Sequence, residues 1–205
     1  MGIKAVAFDY GGVIAFFQDE QAMKDMAGLA GIDVSLMHKI YWDNRAIYDQ
    51  GLVDGAGFFK SILADIGLFA DADLLEKLIV RDMESWSHVN PESEELIRDL
   101  KASGIKLGIL SNIVPDFLDR VKGNLPVFDL MDATVFSCEV GRTKPDKKIY
   151  QILLSRLDCQ ADELVFFDDL ELNVNAASVL GIHAFLWKSP EEARKELENL
   201  EIVWN

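Results

Sequence analysis

The hydrophobic positions of the chain change pattern twice, which divides the sequence into three stretches. Residues 3–8 form a short apolar run, interrupted only by Lys4, and two glycines follow soon after it. Such a run predicts a buried parallel strand. Residues 17–89 then show helical spacing without a strand pattern. From Pro91 onward, short apolar runs alternate with helical stretches, which is typical of a parallel sheet with helical crossovers.

This alternation predicts an α/β fold: a doubly wound parallel sheet of the Rossmann-like kind, with a helical bundle inserted after the first strand. We expect residues 1–16 and 90–205 to form the core domain and residues 17–89 to form a helical cap domain. A chain of 205 residues is long enough for one domain with such an insertion. The cap would close over the strand ends and exclude water.

The inserted stretch carries the start and stop signals of several helices. Asp33 or Ser35 is expected to cap the second helix, because both residue types favour that position. Leu36, Ile40 and Ile47 would form the buried face of this helix. The pattern of the insert therefore predicts a helical bundle with an apolar interior.

Four further strands are expected after the insert, each followed by a helix. They correspond to the apolar runs 105–110, 133–137, 164–167 and 183–187. The helix that follows the second of these runs is expected to begin at Pro145, because proline is favoured in a first turn.

Polar residues stand where three of the predicted strands end: Asp9, Ser111-Asn112 and Asp168-Asp169. The carboxyl ends of parallel strands share one edge, where open α/β sheets bind ligands. We therefore expect the functional site at this edge. Each group also has a simpler explanation, since aspartate, serine and asparagine are common in turns and helix caps.

Three carboxylates at one edge would form an oxygen-rich pocket that suits Mg²⁺. One aspartate is enough to cap a helix and two adjacent negative charges repel, so the pair Asp168-Asp169 favours a metal site that includes Asp9. Lys144, in the segment GRTKPD, has two possible roles. It is either a solvated surface lysine or a cation that balances the carboxylate charges and binds a phosphate.

The composition narrows the choice of partners and compartment. The chain has 35 acidic and 20 basic residues and a net charge of −15, so we expect neither nucleic acid nor anionic membrane as a partner. Cys138 and Cys159 provide no disulfide framework or zinc spacing and suit a reducing compartment. No apolar run approaches the ~20 residues of a membrane span, and Asp9 interrupts any signal-peptide-like region. We expect a soluble cytoplasmic protein.

Together these motifs resemble the haloacid dehalogenase-like (HAD) superfamily. The first family motif, a strand followed by DxDx[T/V], is matched by residues 9–13, which read DYGGV. The second motif is matched by Ser111 in ILSN, the third by Lys144, and the acidic pair of the fourth by residues 168–169. The insert at residues 17–89 resembles the helical cap of the family.

The resemblance implies catalytic and substrate-binding roles. Asp9 would attack phosphorus to form an aspartyl-phosphate, while Ser111 and Lys144 would hold the transferring phosphoryl oxygens. Asn112 is expected beside them in the substrate-binding set. Arg45, on a predicted cap helix, would join that set if the cap faces the site; otherwise it belongs to the packing and surface of the helix.

The resemblance also implies Mg²⁺ as the cofactor. Its ligands would be Asp9, the backbone carbonyl of Gly11, and Asp168, with Asp169 nearby. Phosphoryl transfer depends mainly on positioning and charge neutralisation, which such an arrangement provides.

The chain departs from the family pattern at Gly11, which replaces the second aspartate, the general acid/base. The backbone contact to the metal survives this change, but the proton donor does not. General acid catalysis is typically worth ~10²–10⁴-fold, so the protein is expected to be slow, selective or silent. An aspartate introduced at this position would also disturb the turn if Gly11 has a positive φ.

The expected function is Mg²⁺-dependent hydrolysis of a small phosphorylated metabolite, such as a sugar phosphate. One alternative is a 2-haloacid dehalogenase that uses Asp9, because those enzymes also lack the second aspartate. They work without metal and lack the acidic pair, so Asp168-Asp169 favours the phosphatase. The other alternative is a catalytically silent binding or regulatory protein on the same scaffold.

Overall fold

A computed structural model of the chain describes residues 2–202, so both outer ends of the predicted core domain, residue 1 and residues 203–205, lie outside it. The five strands are β1 (Ala5–Phe8), β2 (Lys106–Ser111), β3 (Ala133–Phe136), β4 (Leu164–Asp168) and β5 (His183–Leu186). The helices are α1 (Glu20–Ala30), α2 (Val34–Asp49), α3 (Gly55–Ala64), α4 (Ala72–Ser85), α5 (Pro91–Ala102), α6 (Pro115–Arg120), α7 (Ser137–Val140), α8 (Lys147–Leu157), α9 (Glu171–Val179) and α10 (Pro190–Asn199).

The strands form one sheet in the order β3-β2-β1-β4-β5, and all four neighbouring pairs are parallel. The chain builds the sheet outward from β1 to β3, then returns to the other side of β1 for β4 and β5. This confirms the doubly wound α/β fold. The winding reverses between β1 and β4, and a reversal of this kind leaves a crevice at the carboxyl ends of the strands.

The central strand is apolar throughout because both of its faces are buried. Val6 and Phe8 belong to one hydrophobic cluster, which includes residues of α5 and α10. Ala5 and Ala7 belong to a second cluster, which includes residues of α8 and α9. Burial on both faces removes the alternation of polar and apolar residues that marks a half-exposed strand.

Four helices and no strand lie between β1 and α5, as the hydrophobic pattern predicts. Each begins after an aspartate whose side chain accepts a hydrogen bond from a first-turn backbone N–H; these caps are Asp19, Asp33, Asp54 and Asp71. Their buried side chains continue the hydrophobic cluster on one face of the sheet. The division into a core and a cap at residues 17 and 89 stays a prediction.

The predicted buried face of α2 is wrong in part. Ile40 is buried, but Leu36 and Ile47 are 36% and 38% exposed. The helix instead buries Tyr41 and Tyr48, which both contact Phe58 of α3. The Tyr41 ring packs edge-to-face against Phe58, and the Tyr48 ring stacks on it. Apolar residues occur on both sides of this helix, so periodicity alone did not define its orientation.

The predicted start of α8 is also wrong. Pro145 precedes the helix and follows a cis peptide bond. The helix begins at Lys147, and the Asp146 side chain caps it by accepting a hydrogen bond from the Lys148 backbone N–H. An aspartate cap two residues before the first hydrogen-bonded N–H therefore replaces the expected first-turn proline.

Two further features bear on the sequence expectations. Within residues 2–202, no helix has both the length and the apolar character needed to cross a membrane. Cys138 is half-buried and Cys159 is buried, and both are free thiols.

Two glycines of the helical insert should differ in how much stability is lost when each is replaced by alanine. Gly31 and Gly51 both have left-handed φ angles, 68° and 70°. A Cβ atom at Gly51 would lie 2.7 Å from the Cys138 carbonyl oxygen, whereas one at Gly31 would meet nothing within 4 Å. Gly31→Ala should lower the free energy of unfolding by about 1–2 kcal/mol, and Gly51→Ala by roughly 1–3 kcal/mol more. Urea denaturation would measure both; equal losses would contradict the close contact.

Candidate active site

The polar residues at the strand ends lie at one edge of the sheet, as predicted. Ser111 and Asp168 are the last residues of β2 and β4, and Asp9 directly follows β1. Phe8 pairs with Phe167, and the Asp9 N–H donates to the Phe167 carbonyl oxygen at 2.9 Å. This register places Asp9 beside Asp168 at the point where the winding of the sheet reverses.

Lys144 lies between two of the carboxylates. Its Nζ is 2.8 Å from Asp9 Oδ2 and 2.6 Å from Asp168 Oδ2, and the residue is 4% exposed. Burial lowers the pKa of Lys144, but the charges of Asp9 and Asp168 outweigh it and raise the pKa above the ordinary value. Lys144 is therefore a buried ammonium in this site, and the alternative of a solvated surface lysine is wrong.

Several opposing effects determine the pKa of Asp9. Burial raises the pKa of Asp9 to about 7 against the opposing effect of the Lys144 charge, and the Asp168 charge raises it further. Hydrogen bonds from Lys144 and Ser111 act in the opposite direction. The backbone N–H of Tyr10 also donates to Asp9 Oδ1 at 2.7 Å. Additional positive charge near Asp9 would therefore favour its ionised form.

The aspartate pair does not cap the following helix, so the helix-cap explanation for the pair is wrong. The cap position of α9 is Leu170, without a side-chain hydrogen bond. Asp168 Oδ1 instead accepts from the Leu170 N–H and from Asn173 Nδ2, both at 2.9 Å. Asp169 is half-buried, and burial followed by the Asp168 charge raises its pKa.

The three carboxylates fit a hard divalent cation. Asp9, Asp168 and Asp169 each offer an oxygen, and these oxygens all lie within 4.8 Å of one another. One lysine offsets only part of their negative charge. Oxygen ligands with excess negative charge are the environment that Mg²⁺ binds in proteins.

The side-chain amide of Asn112 forms two hydrogen bonds with the backbone of Lys144. The Lys144 N–H donates to Asn112 Oδ1 at 2.8 Å, and Asn112 Nδ2 donates to the Lys144 carbonyl oxygen at 3.2 Å. This pair of bonds fixes the peptide that carries the buried ammonium. Asn112 thus lines the site while also holding the Lys144 segment against β2.

The strand ends open into a cavity of about 150 Å³ that side chains from the insert help to enclose. Its wall contains Asp9, Ser111, Asn112, Lys144 and Asp169 from the sheet edge, together with Phe17, Trp42, Arg45, Asp49 and Trp86. The insert therefore faces the candidate active site, which is the condition under which Arg45 was expected to reach a substrate.

Arg45 is buried among aromatic rings and carboxylates. Its guanidinium carbon lies 5.0–5.9 Å from four ring centres, those of Tyr41, Trp42, Tyr48 and Trp86. Nε donates to Asp49 Oδ1 at 2.8 Å, and Nη1 lies 3.8 Å from Asp82 Oδ2. Within the described part of the chain, Nη1 has no hydrogen-bond partner.

Asp82 is the least solvated carboxylate of the insert, with no exposed surface. Its Oδ1 accepts from the hydroxyl of Tyr41 at 2.7 Å and from the indole N–H of Trp86 at 3.2 Å. Burial raises the pKa of Asp82 to about 6, although the Arg45 charge acts against this. The carboxylate thus links a cavity-lining tryptophan to the arginine cluster.

Sequence reasoning missed Phe17, Trp42, Asp49 and Trp86, which line the cavity, and Asp82, which accepts a hydrogen bond from Trp86. None of them stands in a local motif, and they reach the site only through the packing of four helices. The positive φ considered for Gly11 belongs instead to its neighbour. Gly12 has a positive φ of 76°, whereas Gly11 is not among the positive-φ residues.

A doubly wound sheet that carries Asp9, a buried lysine and an acidic pair at its switch point has the architecture of the hydrolase class that the motifs resemble. The sequence pattern of haloacid dehalogenase-like hydrolases matches residues 3–181. The chain belongs to this family.

Comparison with known proteins adds relatives and fold neighbours. Phosphatase MT3486 of Mycobacterium tuberculosis is 26% identical over 194 residues, covering 91% of this chain and 88% of that protein. The HAD family enzyme BT-2542 of Bacteroides thetaiotaomicron, in complex with magnesium and inorganic phosphate, has a TM-score of 0.77 at 21% identity, covering 91% of this chain and 95% of its own. A dehalogenase structure has a TM-score of 0.73 at 19% identity, covering 95% and 97%. At these identities the two structures share the fold.

The buried Asp82 predicts a distinctive dependence of stability on pH. Its folded-state pKa of about 6 exceeds the ordinary value of 3.8, so the folded state holds more protons than the unfolded state between these pH values. The resulting stabilisation is complete below pH 3.8 and is lost as the pH rises through 6. Relative to Asp82→Asn, the wild-type free energy of unfolding should fall by on the order of 2 kcal/mol between pH 4 and 7.

Denaturant unfolding at several pH values would measure this difference. Asp65→Asn, which alters an exposed aspartate at the end of α3, is the matched control and should follow the wild type. A constant difference between wild type and Asp82→Asn over this range would contradict the raised pKa.

Proposed function

We propose that the protein is a Mg²⁺-dependent phosphatase that hydrolyses a small phosphorylated metabolite through an aspartyl-phosphate on Asp9. The observation that carries this proposal is the buried Lys144, placed between Asp9 and Asp168 at the switch point of the sheet. A phosphatase relative covering most of the chain, and a fold neighbour solved with magnesium and phosphate, support it.

The first step is attack of an Asp9 carboxylate oxygen on the phosphorus of the substrate. The bond from phosphorus to the leaving oxygen breaks, and its electron pair departs with that oxygen. Lys144 and Ser111, which both hydrogen-bond Asp9, hold the phosphoryl oxygens, and the Lys144 ammonium compensates their charge. Water then attacks the aspartyl-phosphate, which releases phosphate and regenerates the Asp9 carboxylate.

Asp9, Asp168 and Asp169, with the backbone carbonyl of Gly11, are the groups that would hold the metal. When bound there, Mg²⁺ supplies charge neutralisation for the phosphoryl group. The protein side chains supply the rest: burial gives a water-poor site, and Lys144 opposes the rise in the pKa of Asp9 that burial causes.

The helical insert, as a cap domain spanning residues 17–89, would select the substrate. The cavity of about 150 Å³ suits a phosphate group with a small organic part. Arg45 lines this cavity, and its guanidinium would donate a hydrogen bond to a substrate hydroxyl. Asn112 contributes to substrate binding through the Lys144 segment that it holds. A sugar phosphate matches these features.

Asp9→Asn should reduce phosphate release from an aryl phosphate to the background rate, because an amide cannot act as the nucleophile. Chelation by EDTA should have the same effect on the wild type, and excess Mg²⁺ should reverse it. A colorimetric phosphate assay measures both. Asp65→Asn, an exposed aspartate-to-asparagine change, should retain wild-type activity.

The same preparation separates the alternative functions. Halide release from a 2-haloacid without metal, dependent on Asp9, would favour the dehalogenase. Phosphate binding without either activity would favour a silent binding protein. Full activity in Asp9→Asn would refute the nucleophile assignment.

The rate should also depend steeply on the basicity of the leaving group. Because Gly11 replaces the family's general acid, leaving groups with acidic conjugate acids should react fastest: aryl phosphates, acyl phosphates and sugars phosphorylated at the anomeric carbon. Alkyl phosphates leave as strongly basic alkoxides and should be slower by up to ~10²–10⁴-fold. Rates for a series of substituted aryl phosphates test this. A rate that is indifferent to leaving-group pKa, with chemistry rate-limiting, would mean that another group donates the proton.

A further inference from the structure

Position 11 is closed to any side chain by Trp86. A Cβ atom at Gly11 would lie 2.9 Å from Cζ3 and 3.3 Å from Cε3 of the Trp86 ring. The adjacent Gly12, not Gly11, has the positive φ of this turn. The glycine at position 11 is therefore explained by the contact with Trp86 and not by its backbone conformation.

Trp86 is held in this place from three directions. Its indole N–H donates to the fully buried Asp82 at 3.2 Å, and its carbonyl oxygen accepts from the Tyr10 hydroxyl at 2.9 Å. Its ring meets Phe17 edge-to-face, with ring centres 5.4 Å apart and planes at 76°. Moving the indole away from Gly11 would break the hydrogen bond to a buried carboxylate, which is costly.

We propose that Trp86 occupies the space of the family's missing acid/base aspartate, and that Gly11 and Trp86 form a matched pair that determines specificity. This inference rests on the proposed phosphatase function. Beside residue 11, the hydrocarbon edge of the Trp86 indole then forms the cavity wall. In family members with the second aspartate, a carboxyl group stands at this place. Restoring the aspartate alone cannot restore acid catalysis, because Trp86 fills the volume that its side chain needs.

The same contact indicates the class of leaving group. Trp86 lines the cavity together with Phe17 and Trp42, whose rings are stacked at 6.1 Å and 15°. Aromatic faces favour flat or C–H-rich surfaces and donate no proton to a leaving oxygen. The matched substrate is a phosphate ester with an acidic leaving alcohol and an apolar face, such as an aryl ester or a sugar esterified at its anomeric carbon.

A double-mutant cycle tests the pair, with an aryl phosphate and an alkyl phosphate as substrates and Mg²⁺ present. Gly11→Asp alone should gain no activity on the alkyl phosphate. Gly11→Asp combined with Trp86→Ala should hydrolyse it about 10²-fold faster than Trp86→Ala alone, and the dependence on leaving-group pKa should flatten. Gly11→Asp with Trp42→Ala is the matched control and should show no such gain, because Trp42 does not contact position 11.

A second cycle needs no substrate. Gly11→Ala should lower the thermal unfolding midpoint by about 3 °C or more in the wild type, and this loss should disappear when Trp86 is replaced by alanine. The same loss in both backgrounds would overturn the steric pairing. A gain by Gly11→Asp alone, or a folded double variant without any gain, would overturn the catalytic inference. A third result would defeat the phosphatase proposal: the unaltered protein releases no phosphate from any ester, while the stability cycle still shows coupling between Gly11 and Trp86. The steric pairing would then stand, but the role of Trp86 toward the leaving group would not.

Discussion

The burial of one ammonium between two carboxylates is the constraint on which the candidate site depends. Lys144 is almost completely buried, and such a charge is tolerated only when it is paired and hydrogen-bonded. Asp9 and Asp168 supply the pairing, and they do so because β1 and β4 are neighbours at the switch point. Asn112 holds the Lys144 backbone, and Asn173 holds the second oxygen of Asp168. Removing Lys144 would leave carboxylate oxygens of both Asp9 and Asp168 without their cationic partner.

The insert contains a second buried charge cluster, and the cavity lies between the two. Arg45 is paired with Asp49 and lies near Asp82, so its positive charge is largely compensated within the insert. An overall charge of −15 would repel an anionic substrate, and Lys144 is the cation at the strand ends that opposes this repulsion most directly. The insert is attached to the sheet region through Asp116, which accepts from the Tyr48 hydroxyl and the Gly55 N–H. These bonds fix the arginine cluster relative to the strand ends.

The relation between Gly11 and Trp86 changes what the departure from the family motif means. On the motif alone, Gly11 is a loss of a proton donor. In the structure, the vacated volume is filled by an aromatic ring that is anchored to Asp82. Under the proposed phosphatase function, loss of the acid and gain of an apolar wall would act together on the leaving group, so that selectivity, and not simply a slower reaction, is the expected consequence.

The sequence alone determined the fold class, the number of strands and the residues at their ends. This was possible because strands buried on both faces are continuous apolar runs, and because Asp9, Ser111 and Asp168 directly end such runs. It could not determine the orientation of α2, where apolar residues occur on both sides and Leu36 is exposed. Only the tertiary structure placed Trp86 against Gly11 and Arg45 in the cavity wall. Local periodicity reports which residues share a face of an element, whereas the packing of elements far apart in the chain decides which face is buried and against which partner.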